Sequence, residues 1–236
     1  LISQTIKDAQ NKVIVIALDV SGSMDDLSGS SYESPKRIEM VVHMGKIMMA
    51  FCQKLGISKY RVYTFSNRVT RLDINYSNTN IVLERLRADG CTNIGEVLST
   101  MFNENGSNAC YFLFTDGHPT DNWNQAVSLY NNTQLHLTAF SKDVDMSLLC
   151  AVAGNPLHSI SYVEDIRSIA AYMIPVFVVS LTNMKTVTLT PEEDACRKMF
   201  VEWLKRRVNM QISRADINNI MRELEKYHQG NTNTYA

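Results

Sequence analysis

The sequence has no surplus of basic charge. Twenty-three Lys and Arg stand against 24 Asp and Glu, a formal net charge of -1 at pH 7. Nucleic-acid affinity rests largely on a cationic surplus, so this balance gives no reason to expect that class of partner. The densest basic cluster, Lys205-Arg206-Arg207, falls in a helical pattern and reads as a solvated face. There is also no Cys-x-x-Cys. The five cysteines, Cys52, Cys91, Cys110, Cys150 and Cys196, are odd in number and scattered, which argues against a zinc knuckle or a dithiol redox motif. No run of about 18 apolar residues occurs, so no segment is expected to insert in a membrane. The longest approach to one, Ile169 to Leu181, is too short. Internal repeats and low-complexity tracts are missing too.

What is there is a globular composition: 236 residues, 45% hydrophobic and 20% charged. That suits one large domain, or one domain with an appendage. Scattered single cysteines are most at home as reduced core residues of a cytoplasmic protein. Asn75, Asn105 and Asn131 each open an Asn-x-Ser/Thr triplet, which keeps an extracellular setting as the alternative.

Residues 12–18 and 109–115 are continuous apolar runs, the pattern of strands covered on both faces, and residues 134–141 read as another strand. Residues 60–66 form a further strand. After the two-residue link Ser66-Asn67, residues 68–74 alternate like an antiparallel hairpin partner at a sheet edge. A last strand is expected at 157–163. Between these lie helical patterns. One follows Ser34-Pro35, read as an N-cap and first-turn proline, and closes at Gly56. Others cover 78–88, the stretch after Thr92, 121–131 with Asp121 as N-cap, 145–154, and 164–182 with Pro175 inside it. Met40, Met44, Met48, Met49, Trp123 and Trp203 read as packing residues.

Alternation of strand and helix predicts an α/β fold, a doubly wound and mostly parallel sheet with one antiparallel edge strand. The expected layout is an N-terminal extension at 1–10, the sheet domain at 11–183 and a C-terminal extension of two amphipathic helices at 184–236.

Sites in open α/β sheets form at the carboxyl ends of the strands. Asp19, Ser21 and Ser23 follow the first strand, Thr92 precedes a helix start, and Asp116 ends the strand 109–115. All five offer oxygen, the donor that hard divalent cations require. Each also has a plainer explanation by itself: a turn for the first three, a helix cap for Thr92, a tight turn for Asp116-Gly117. Three hydroxyls and only two carboxylates would leave an ion electrophilic enough to seek an acid from outside.

The stretch Asp19-Val20-Ser21-Gly22-Ser23 resembles the D-x-S-x-S signature of von Willebrand factor A domains. Asp89-Gly90-Cys91-Thr92 and Thr115-Asp116-Gly117 resemble the second and third metal loops of that family, in the family's order. The resemblance covers residues 11 to 182. It implies a metal-ion-dependent adhesion site holding Mg²⁺, or Mn²⁺ or Ca²⁺. Ser21 and Ser23 would ligate directly, Thr92 directly once a ligand is bound, and Asp19 and Asp116 mostly through waters. A partner's Glu or Asp would complete the shell. The implied function is metal-dependent protein binding with no catalysis. The loop 25–37 is longer than the family's minimum, and Asp25 and Asp26 within it would repel an acidic partner at close range. His118, two residues past Asp116, is a candidate for the rim.

Two alternatives remain open. A phosphatase or phosphotransferase of the haloacid dehalogenase type also places an aspartate after its first strand, but needs a second one where Ser21 stands. A scaffold would act through the C-terminal helices, its metal site being structural. The partner's identity and the oligomeric state are not encoded in any motif.

Overall fold

A computed structural model describes residues 11–28, 32, 34–140, 144–155 and 157–162. The chain divides into two units, residues 1–187 and 188–236, and every described residue belongs to the first. The expected helices at 164–182 and beyond 184 lie outside the described residues.

Six strands form one sheet in the order β3-β2-β1-β4-β5-β6. They are β1 (Val13–Asp19), β2 (Tyr60–Phe65), β3 (Val69–Arg71), β4 (Ala109–Thr115), β5 (Gln134–Ala139) and β6 (Ser159–Tyr162). All neighbours run parallel except β2 and β3, where Tyr63 faces Arg71 and Phe65 faces Val69. The antiparallel edge is therefore present, though shorter than its alternating pattern suggested. β1 and β4 are apolar, rich in β-branched and aromatic residues, with no polar side until their last positions. Every β4 residue is buried, as is every residue of β1 after Val13, which requires a cover on both faces.

Five helices are described: α1 (Arg37–Lys54), α2 (Thr79–Glu84), α3 (Ile94–Asn105), α4 (Asn124–Ser128) and α5 (Met146–Ala153). Side chains alternate across a strand. Val15, Ala17, Tyr111 and Leu113 therefore pack to one face with Val97, Leu98 and Met101 of α3, Val127 of α4 and Leu148 and Val152 of α5. On the other face α1 lies against β1, with Gly45 close to the Leu18 and Leu83 side chains. Met40, Met44, Met48 and Met49 of α1 are buried, and so is Trp123. Burial pushes the thiols of Cys52 and Cys110 up to about 12, in keeping with inert core residues. Asn75 and Asn131 are exposed, whereas the Asn105 amide donates inward to Met101 O and to Tyr63 Oη. Among the described residues, no helix is long and apolar enough to cross a membrane.

Two helix starts depart from expectation. Ser34-Pro35 does not open α1. Ser28 N donates to Pro35 O and Arg37 N to Asp26 O, both at 2.9 Å, and Leu27 bridges to Lys36. These bonds hold residues 35–36 extended, so α1 begins at Arg37, and Glu39 reaches back to Lys36 N at 3.0 Å. Asp121 does not cap α4, whose N-cap is Trp123. Its carboxylate is drawn to another helix instead.

Candidate metal centre

The chain winds outward from β1 to β2 and β3, then returns past β1 to β4, β5 and β6. The reversal lies between β1 and β4, the place where open α/β sheets leave a crevice. Leu18 is in register with Phe114, so Asp19 and Asp116 leave adjacent strands one and two residues past the same pair. Both side chains are fully buried.

Asp19 is tightly held. Its Oδ1 accepts from Ser21 N at 2.8 Å, and its Oδ2 accepts from Thr115 Oγ1 at 2.5 Å. Thr115 Oγ1 in turn accepts from Gly117 N at 2.9 Å. Burial first, and the negative field of Asp116 second, push the Asp19 carboxyl up to about 7 against the lowering effect of its hydrogen bonds. Two acids in one low-dielectric crevice resist being ionised together, and a cation between them would relieve that.

The first loop continues through a 3-10 turn, Gly22–Asp25. Ser21 Oγ lies 3.3 Å from Ser23 Oγ, so the two hydroxyls are within hydrogen-bond reach of each other. Asp25 and Asp26 are exposed but partnered. Lys36 Nζ is 2.8 Å from Asp25, and Arg37 Nη1 is 4.0 Å from Asp26.

The second loop is stitched to the first through backbone: Gly22 N donates to Gly90 O and Asp89 N to Val20 O, each at 2.8 Å. Gly90 has φ +81°, and a Cβ there would meet the Asn67 side chain at 2.8 Å, so the close approach needs glycine. Thr92 is buried. It does not cap α3, whose N-cap Asn93 makes no side-chain cap bond either. That role falls to Asp121, which accepts from Gly95 N and Glu96 N at 2.9 Å each. Thr120 reinforces the join: its N donates to Thr92 O at 2.9 Å, and its Oγ1 accepts from Thr92 N at 3.1 Å. The plain explanation of Thr92 as a helix cap is thereby removed.

In the third loop, Asp116 Oδ2 accepts from Arg37 Nη1 at 3.1 Å, and the same nitrogen lies 3.4 Å from Ser23 O. His118 is exposed, with its backbone N 3.4 Å from Asp116 Oδ1.

The structure thus joins Asp19, Ser21, Ser23 and Asp116 through shared side-chain contacts, and brings the Thr92 loop alongside through backbone bonds. Among the described residues, no group of three or more His, Cys, Asp or Glu is placed to hold a metal ion. Any ion here would depend on hydroxyls. Two carboxylates and three hydroxyls form an all-oxygen set that suits a hard divalent cation.

Arg37, Thr115 and Asp121 were not legible as parts of this arrangement. Arg37 carried one usable signal. A cation in the first turn of a helix opposes the helix dipole, so its position asks for an acid elsewhere in the fold.

No family model and no curated protein matches the sequence. Solved structures do match. A von Willebrand factor type A protein from Catenulispora acidiphila aligns at 17% identity and TM-score 0.57, over 72% of this chain and 43% of that one. The PilB minor pilin from Streptococcus sanguinis aligns at 15% identity and TM-score 0.57, over 77% of this chain and 64% of that one. The chain spans less than two thirds of each. The described residues have a von Willebrand factor A-like α/β fold.

Proposed function

We propose that the chain is a divalent-metal-dependent protein-binding module that captures an acidic side chain of a partner and performs no catalysis. The carrying observation is the convergence of three loops at the β1–β4 crevice, with Asp19, Asp116 and Thr92 buried and with Asp121 taking the capping task that would otherwise explain Thr92. The neighbours' A-domain fold supports an interaction role by analogy only. Asp19, Ser21, Ser23, Thr92 and Asp116 would hold Mg²⁺, or Mn²⁺ or Ca²⁺, as an adhesion site. When bound, the ion would supply Lewis acidity toward one external carboxylate.

The chain's own residues prepare that encounter. Ser21 N and Thr115 Oγ1 fix both oxygens of Asp19. Hydroxyl donors add no negative charge, so an ion's charge is not cancelled within the site. Lys36 and Arg37 partner the rim acids Asp25 and Asp26, which lowers the repulsion an acidic partner meets on approach. A cytoplasmic setting belongs to the same reading and rests on the scattered cysteines.

Equilibrium dialysis with Mn²⁺ tests the site. Wild type should take up one ion, and Asp19→Ala should take up none. A poly-glutamate peptide should then be retained only by the loaded protein. Retention that survives both EDTA and Asp19→Ala sinks the proposal.

A further inference from the structure

We infer that Arg37 is a built-in counter-ion of the candidate metal centre. It ties the ion-free loops together through Asp116, weakens cation uptake, and leaves the loaded site with a positive charge that an external carboxylate neutralises. This rests on the metal-site reading above.

Arg37 is the first residue of α1, and its side chain is only 10% exposed. It meets Asp116, which is fully buried, at 3.1 Å. Its contact with Ser23 O at 3.4 Å adds the first metal loop. One guanidinium therefore spans α1, the Ser23 loop and the Asp116 loop. Arginine stays protonated at any working pH and is weakly hydrated, which makes it the cation best suited to burial. Asp26, 4.0 Å away, is 70% exposed, so water screens most of its influence.

The charge balance has a direction. With an ion bound, Asp19 and Asp116 contribute two negative charges and Arg37 one positive. A divalent ion then leaves the centre at plus one. Without Arg37 the same centre would be neutral. Removing the positive charge should therefore tighten the cation and loosen the external carboxylate. Loss of packing alone would weaken both.

The test uses the full chain. Mn²⁺ affinity is read by electron paramagnetic resonance. Acetate affinity of the loaded protein is read by water-proton relaxation, and ion-free melting by circular dichroism. Arg37→Gln keeps a hydrogen-bond donor and removes the charge. It should bind Mn²⁺ about tenfold tighter or more, and acetate at least about threefold weaker. Its ion-free melting temperature should fall and recover more on Mn²⁺ addition than wild type gains. Arg37→Lys should stay within about threefold of wild type in both affinities. Unchanged affinities in Arg37→Gln, or two that move in the same direction, overturn the inference.

If Arg37→Gln does not fold, Arg37→Met decides, because it keeps the length and packing of the side chain without its charge. Tighter Mn²⁺ together with weaker acetate supports the inference, and affinities that stay unchanged or move in the same direction overturn it. Absence of Mn²⁺ uptake by every protein, wild type included, is a different failure. It removes the metal-site reading and this inference with it.

Discussion

Replacing Asp121 by alanine tests whether one loop holds another. Its two oxygens accept from Gly95 N and Glu96 N, both at 2.9 Å, although the residue is distant in sequence from the helix it serves. Loss of a capping side chain costs roughly 0.5–2 kcal/mol, and loss of a negative charge at a helix N-terminus about 0.3–1 kcal/mol more. Asp121 is half-buried, so water would replace part of what is removed. The expected destabilisation is about 1–2 kcal/mol, and about half of that for Asp121→Asn, which keeps one acceptor oxygen. With a urea m-value of about 2 kcal/mol/M, the alanine midpoint should fall by roughly 0.5–1 M at unchanged m. Fluorescence of buried Trp123, in a Trp203→Phe background, reports on this unit. Mn²⁺ affinity should fall several-fold in parallel, because Thr92 sits two residues before α3 and leans on Thr120. A midpoint shift below about 0.1 M would show that α3 is capped by other groups. Thr92 would then regain its plainer explanation as a helix cap.

Other outcomes follow from the same geometry. Asp19→Asn removes a buried charge that faces Asp116. The ion-free protein should melt at the same or a higher temperature while Mn²⁺ uptake is lost, and a clear drop in ion-free stability would contradict the reading of mutual repulsion. Gly117 has φ +76°, and a Cβ there would lie 1.8 Å from Val144 Cγ2, whereas Gly106 has φ +67° with nothing within 4 Å. Gly117→Ala should therefore cost more than about 3 kcal/mol and Gly106→Ala only about 1, by chemical denaturation, and equal effects would refute the packing around Val144. Burial, aided by nearby His158, pushes His136 down to about 3 from an ordinary 6.5. The unfolded chain then binds a proton that the folded one refuses. The contribution of His136 to stability is present above pH 6.5 and lost as pH falls toward 3. A neutral ring at pH 5 in ¹⁵N spectra is expected, and a protonated one would contradict the burial.

The parts legible in the sequence are those set by local pattern. β1 and β4 could be read because a parallel strand covered on both faces must be apolar throughout. Asp19 and Asp116 could be read because an acid ending such a run marks the carboxyl edge of the sheet. The helix starts failed for a single reason. Ser34-Pro35 has the right local chemistry for a cap, but Ser28 and Asp26 hold the neighbouring residues extended. Asp121 has equally good local chemistry, but two N–H groups of α3 were better partners than its own helix. Arg37 and Asp116 are 79 positions apart. A contact of that span leaves no periodic trace, only the oddity of a cation at the wrong end of a helix.

The same contacts show how the two acids of this crevice are accommodated. A buried carboxylate is tolerated only when paired or hydrogen-bonded, and the β1–β4 crevice contains two. Each is handled differently. Asp19 receives neutral donors, Ser21 N and Thr115 Oγ1, which leave its carboxyl pushed up. Asp116 receives a full cation from α1. If Arg37 served only to satisfy Asp116, a neutral donor like those at Asp19 would do as well, and Arg37→Gln would be silent in the metal-loaded protein. Tighter Mn²⁺ together with weaker acetate there requires that the charge itself matters. That result would place the start of α1, and with it the long loop between Asp25 and Arg37, inside the machinery that decides how strongly an acid is held.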